Sequence, residues 1–300
     1  MGYAVGIDSR FDLSSKVPGA NITYLDDATS WLGAIPAFVA RYLGTGGGAA
    51  TPLSASEVDY VHSYAGKGIP ILLCYNDSPI NGGTSGTEAV ANQDVVNAIA
   101  QCEALGVPAG VYVFGDVESN ASIQHGYVTG WCNGWRPTIY GGAGGLYGLT
   151  GGGQNLGRAY LEALKTDANG NVHRMLLWSA RWISTGFSAS NAPRWGAIAP
   201  SPETAGAVRV WQVTGGTFGG IVDEDMIDES LLVPLTAAGG LWTPPPSSTS
   251  SSTSGGGTTV PSGSSGGSGG AGLGTTFTGR VTATESPQGD MKITGDMQPS

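Results

Sequence analysis

Basic residues are scarce in this sequence. Thirteen Lys and Arg stand against 23 Asp and Glu, so the formal net charge is −10. No basic cluster interrupts the deficit, and this excludes a nucleic-acid partner, because phosphate recognition needs a positive footprint. Charge of either sign is also sparse, at 12% of residues. The three histidines, His62, His125 and His173, lie far apart with no HExxH pair. No metal site or cofactor is therefore expected. The three cysteines, Cys74, Cys102 and Cys132, are odd in number and form no CxxC. That excludes a disulfide framework and a zinc site, and leaves them as small buried hydrophobes. No run approaches the ~18 apolar residues of a membrane span. The opening "MGYAVGID" enters a strand at once, without the basic and apolar regions of a leader, so no secretion signal is expected in the chain.

Glycine, by contrast, is abundant, with 51 residues. The glycine-rich stretches 44–48, 141–145 and 151–153 lack a following Lys-Ser/Thr. They read as strand-to-helix loops and not as phosphate cradles. Composition changes sharply after Trp242. Residues 243–274 carry no charge and no aromatic ring, and such a segment cannot bury enough surface to offset its ordering entropy. It reads as a linker, stiff at Pro244–Pro246 and flexible beyond, spanning roughly 30 Å on average if fully flexible. The "GGSGG" inside it matches the GxSxG nucleophile pattern only formally, for no strand precedes it and no helix follows. Residues 275–300 regain pattern as two short strands around "SPQGD". A lone hairpin is marginal in water, so this segment is expected to bind itself or another protein of a larger assembly.

Residues 1–242 form the expected main domain. Candidate strands are 3–8, 38–44, 69–77, 109–118, 138–142, 174–182, 208–214 and 219–225. Helical patterns cover 54–67, opened by a capping box of Ser54 and Glu57, then 87–105 and 155–165. Eight strands with interleaved helices indicate an α/β fold, a (β/α)8-type, TIM-like barrel. No helical pattern separates the last two strands, so irregularity is expected there.

Chemistry in such barrels sits at the C-terminal strand ends. Strand one ends in Asp8 and strand two in Arg41 and Tyr42. Strand three ends in Tyr75, Asn76 and Asp77. Strand four, "YVFGDVE", ends in Asp116 and Glu118. Tyr140, Trp178, Trp211 and Gln212 follow, then Asp223 and Asp225. Taken singly, each strand-end acid is better explained as a cap or turn residue. Taken together, they place Asp8 and Asp223 across one mouth from Asp116 and Glu118. Residues i and i+2 of a strand share a face, so Asp116 and Glu118 point together and Val117 away. Crowded carboxylates drive their pKa values apart, which is the division of labour glycoside hydrolysis uses. The aromatic residues would supply stacking surface for sugar rings.

"GID", "YVFGDVE" and "VWQV…GGIVDED" resemble the lysozymes of glycoside hydrolase family 25. With "RY" on strand two and a helix–"GVP"–strand–"DVE" order, the sequence is more similar still to the glycoside-hydrolase-like family of unknown function numbered 1906. The resemblance spans residues 3 to about 232. It implies a distorted barrel with Glu118 as general acid. Asp116 would be the second carboxylate, acting on the oxocarbenium-like state or the substrate's 2-acetamido group. Asp8 and Asp223 would shape and polarise the site. The chain has "VDED" where the lysozymes more often have an Asn after the acid, so Asp223 and Asp225 compete for one role. Arg41, Tyr75, Tyr140, Trp178, Trp211, Gln212 and Asp225 are the expected substrate contacts.

The expected function is thus a glycosidase-like domain acting on cell-wall glycan, with peptidoglycan as the polymer. A wall-directed domain without a leader suggests a phage lysin or a virion protein, acting outside the cell. The short tethered C-terminal element favours the virion as its place. The alternative is a non-catalytic glycan-binding or structural module on the same barrel.

Overall fold

The computed structural model describes residues 2–118, 120–135, 144–181, 188–192, 204–214, 222–232 and 240–244, together with short backbone strands near the C-terminus. Eight strands close into a barrel in the order β1 to β8. They are β1 (Tyr3–Ser9), β2 (Val39–Tyr42), β3 (Ile71–Tyr75), β4 (Val113–Val117), β5 (Gly144–Gly148), β6 (Leu176–Ala180), β7 (Val208–Gln212) and β8 (Val222–Asp228). Helices α1 (Tyr24–Leu32), α2 (Ala55–Ser63), α3 (Glu88–Leu105), α4 (His125–Trp135) and α5 (Asn155–Thr166) follow the first five strands in turn. The α/β barrel expected from the sequence is therefore the observed fold.

The irregularity at the barrel's end is a reversal of direction. β1 to β7 pair in parallel, but β8 runs antiparallel to both β7 and β1. A parallel return would need a crossover of a dozen or more residues, and residues 213–221 do not provide one. Asp223 and Asp225 thus lie at the beginning of a reversed strand, not at the end of a parallel one. That reversal brings them to the mouth where β1 to β7 terminate: Asp8 is the register partner of Asp223, and Gln212 of Asp225.

Two elements arise from sequence that does not advertise them. α1 begins with a full capping box, in which Thr23 and Asp26 exchange side-chain and backbone hydrogen bonds. α4, "HGYVTGWCNGW", is rich in glycine, a poor helix former. Its glycines allow close packing instead: a Cβ at Gly130 would meet the carbonyl oxygen of Glu88 on α3 at 2.8 Å. The strand expected at 138–142 lies outside the described residues, and β5 starts at Gly144. Glycine is required there because a Cβ at Gly145 would meet the Phe114 ring at 2.5 Å. A stretch that reads as loop is thus strand, made of glycine by the crowding of its neighbour.

Strand alternation sorts side chains into two apolar layers. Val39, Ile71, Leu73, Tyr75, Val113 and Val117 face the helices. Ala40, Leu72, Cys74, Phe114, Tyr147, Trp178, Val210 and Ile227 fill the barrel. All three cysteines are buried and free. The end of the barrel opposite the strand-end carboxylates is closed by the chain's return. Trp242 bridges Ile71, Gly240 bridges Val111, and His62 Nε2 lies 3.1 Å from the Trp242 carbonyl.

The chain divides into two compact units, Met1–Ser247 and Ser248–Ser300. In the second, Thr282–Glu285 pairs antiparallel with Met291–Thr294, and Phe277–Thr278 pairs antiparallel with Gln298–Pro299. Most of the segment 243–274 lies outside the described residues. No helix among the described residues is long and apolar enough to cross a membrane.

Candidate active site

The inward positions of β1, β2, β4, β5, β7 and β8 converge on one mouth. Asp8 is buried and accepts hydrogen bonds from Gln212 Nε2 at 2.8 Å and from the Tyr42 hydroxyl at 3.4 Å. Gln212 is the hub of this side. Its Nε2 also donates to Asp223 at 2.8 Å, while its Oε1 accepts from the Tyr147 hydroxyl at 2.7 Å. Asp225 accepts from Trp178 Nε1 at 2.9 Å through Oδ1, and its Oδ2 has no hydrogen-bond partner. Burial pushes both Asp8 and Asp225 upward, Asp225 well above the usual range.

Asp116 and Glu118 differ in surroundings. Asp116 is 5% exposed, and its Oδ1 has no hydrogen-bond partner. Burial first, and then the charges of Glu118 and Asp8, hold its carboxyl well above the usual range. Glu118, two residues on, is exposed. The phenols of Tyr42 and Tyr147 and the Cys74 thiol are all pushed well up by burial and by these same carboxylates. They remain protonated, and the two phenols serve as donors.

Open space flanks Glu118 on both sides. A cleft of about 540 Å³ lies toward β2 and β3, with Arg10, Tyr42, Asn76, Asn81, Asp116 and Glu118 among its walls. A second cleft of about 430 Å³ lies toward β5 and β6, walled by Val117, Glu118, Tyr147, Leu149 and Arg181. Glu118 thus stands between two clefts, with the buried carboxyl of Asp116 in the wall of the first.

The expected site residues divide by strand parity. Asp8, Asp116, Glu118, Gln212, Asp223 and Asp225 come together at the mouth. Trp178 also points inward, but it is 1% exposed and its indole is committed to Asp225, so it orients an acid and offers no sugar-stacking face. Tyr75 points outward, packs against Trp131 with ring centroids 6.2 Å apart, and is not a substrate contact. Trp211 also points outward, in a cluster with Val213 and Met226, and donates to the Arg181 carbonyl. Arg41 is fully buried beneath the loops, ion-paired with Glu57 at 2.5 Å and donating to the carbonyls of Ser9 and Thr51. Glu57 accordingly does not complete the expected capping box. Ser54 caps α2 alone, and the Glu57 carboxylate serves Arg41 and the Leu13 amide. Tyr140 lies outside the described residues. His125 sits exposed at the start of α4.

Three contributors went unread in the sequence. Tyr147 becomes visible once β5 is placed at Gly144–Gly148, because its parity then turns it inward. Asn81 reaches Glu118 from the short turn after β3 and Asn155 from the first residue of α5, and no strand pattern points to them. Among the described residues, no group of His, Cys, Asp and Glu is arranged to hold a metal ion.

Comparison with known proteins fits this geometry. Residues 29–227 match the family described as the Rv2525c-like, glycoside hydrolase-like domain. The chain belongs to that family. Among solved structures, it is similar to an uncharacterized B. stearothermophilus protein, with 23% identity and a TM-score of 0.58 over 76% of this chain and 98% of that one. The Tat-secreted protein Rv2525c of Mycobacterium tuberculosis, solved with L-tartrate, aligns at 17% identity and a TM-score of 0.44 over 80% of this chain and 98% of that one. The modular autolysin LytC of Streptococcus pneumoniae, in complex with a synthetic peptidoglycan ligand, aligns at 11% identity and a TM-score of 0.43 over 75% of this chain and 46% of that one. At 23% identity the first of these likenesses speaks for the fold alone, and the other two carry no argument. No curated protein sequence matches the chain.

Proposed function

We propose that this glycoside hydrolase-like domain cleaves a β-linked amino-sugar polymer of the cell wall, with peptidoglycan as substrate. The observation that carries the reading is the pairing of Asp116 with Glu118. A buried carboxyl with an oxygen left without a partner is costly, and the cost makes sense where a ligand's polar group completes it. Glu118 stands where two clefts meet and is free of side-chain hydrogen bonds, as a proton donor to a bridging oxygen must be. In this mechanism Glu118 protonates the leaving oxygen. Asp116 stabilises the oxocarbenium-like state or engages the 2-acetamido group. Asp8 and Asp223, tied together through Gln212, and Asp225, held by Trp178, fix the polarity of the opposite wall. The choice of polymer rests on the motifs shared with family 25 lysozymes.

The domain works outside the cell, and the C-terminal unit attaches it to a larger assembly such as a virion. This part rests on the uncharged, proline-led segment after Trp242 and on C-terminal strands that, among the described residues, pair with one another.

The test is release of reducing ends from purified cell walls and from chitin oligomers across pH 4–8. Glu118→Gln keeps the shape and removes the proton donor. It is expected to abolish release while circular dichroism and melting temperature stay at wild-type values. Wild-type protein that binds walls but releases nothing would replace hydrolysis with glycan binding on the same surface. Wild-type protein that neither binds nor cleaves would remove the wall glycan as ligand.

A further inference from the structure

The exposed Glu118 carboxyl has no side-chain partner, so something else must aim it. On the β3 side, β4 loses its strand partner after Gly115, the register partner of Tyr75. On the β5 side, pairing ends at Val117 opposite Gly148. Glu118 lies beyond both. Its main chain is nevertheless held from two directions by side-chain amides.

Asn81 takes the place of the missing β3 residue. Its Nδ2 donates to the Asp116 carbonyl at 3.1 Å, and its Oδ1 accepts from the Glu118 amide at 3.0 Å. One amide group thus supplies the donor and acceptor that a neighbouring strand would present. Asn155, the first residue of α5, takes the other side. Its Nδ2 donates to the Glu118 carbonyl at 2.8 Å and to the Ala121 carbonyl at 3.1 Å, while its Oδ1 accepts from the Leu156 amide at 2.8 Å. Neither asparagine has a spare role: each spends donor and acceptor on backbone groups.

The loop that carries Asn81 is itself anchored. Ser78, just before it, donates to Asp94 on α3 at 2.5 Å, and Tyr127 on α4 donates to the same carboxylate at 2.9 Å. Asp94 is buried and outside the site's chemistry, and this anchoring gives it a use. The line runs from Asp94 through Ser78 to Asn81 and then to the main chain of Asp116 and Glu118.

We propose that Asn81 and Asn155 form a two-sided main-chain clamp that aims the Glu118 carboxyl and holds it in register with Asp116. They are positioning residues of the site. Their effect on rate rests on the hydrolytic reading above, but the clamp itself does not. Holding a group by its main chain leaves the side chain's whole hydrogen-bonding capacity for substrate. A clamp of this kind also acts on geometry, so its loss lowers the rate of the bound complex and leaves affinity nearly unchanged.

Two measurements test it on the full-length protein. The first needs no activity. The Glu118 amide is expected to be protected from hydrogen exchange in the wild type and to exchange at least tenfold faster in Asn81→Ala, with the flanking β4 amides unchanged. Equal exchange in both overturns the clamp, whatever the protein does to walls. The second reads kcat and KM separately on cell walls. A misplacement of about 1 Å costs on the order of 10²-fold, so Asn81→Ala and Asn155→Ala are each expected to lose on the order of 10- to 100-fold in kcat with KM within about twofold. A loss confined to KM, or matched by a fall in melting temperature, overturns the positioning role. Should an alanine variant fail to fold, Asn81→Asp serves. It keeps the acceptor for the Glu118 amide and loses the donor to Asp116, so protection is expected to survive while kcat falls; survival of both overturns the proposal. Wild-type protein inert on walls would defeat the hydrolytic reading and leave the exchange result to judge the clamp.

Discussion

Two buried carboxylates, about equally removed from water, lead opposite lives in this barrel. Glu57, on the helix side of the wall, is saturated: Arg41 and the Leu13 amide meet both of its oxygens. Asp116, on the inner side, keeps an oxygen with no partner and is crowded by like charges. Equal burial therefore hides a difference in partners. A fold that can fully pair one buried acid and leaves another unpaired beside a cleft is spending stability on that second position.

The comparison can be broken at the saturated end first. Removing one partner of a buried ion pair strands the other charge, at a cost of about 3–5 kcal/mol. Glu57→Ala is expected to lose that much in urea unfolding, because Arg41 then lies buried without a counter-charge. A loss below about 1 kcal/mol would show that water or a rearranged Arg41 absorbs the change. The activity of whatever fraction stays folded should be close to wild type.

At the unsatisfied end the sign reverses. Burial and the neighbouring carboxylates hold the Asp116 carboxyl well above the usual carboxylate range, so the folded state binds its proton more tightly than the unfolded chain does. Its contribution is fully present below about pH 4 and is lost as pH rises through the folded pKa. Asp116→Asn removes that penalty. The variant is expected to melt higher than wild type at pH 7, with the gap closing as pH falls toward 4, and to be severely impaired in hydrolysis. A variant that melts lower at pH 7 would mean that Asp116 is a structural acid like Glu57.

The smallest effect is expected farthest from both. Truncation after Pro244, which keeps Trp242 in its place against Ile71, should leave the melting temperature of the barrel within about a degree. A marked fall would show that the C-terminal unit shares the barrel's stability.

The sequence carried the barrel because its strands alternate and its long helices are capped. It carried the carboxylates of the mouth because acids at apolar strand ends are conspicuous. It did not carry direction or parity. Tyr75, Trp211 and Arg41 stand at strand ends as surely as Asp8 does, yet an offset of one residue sends a side chain to the helices. β8 alternates equally well in either direction, and only the short connection before it reverses the strand. Gly144 and Gly145 read as loop because the ring and indole that forbid a Cβ there come from elsewhere in the chain. Asn81 and Asn155 were hidden for a similar reason. Their role is to imitate a strand, and imitation by a side chain leaves no periodicity.

Trp242 gives the barrel a polarity of a different kind. Its bridge to Ile71, like that of Gly240 to Val111, fastens the departing chain at the pole where the parallel strands begin, while the carboxylates stand at the pole where they end. The barrel is thus built like a tool with its handle at one end and its edge at the other. Cargo grafted after Pro244 would start its path from the pole opposite the carboxylates.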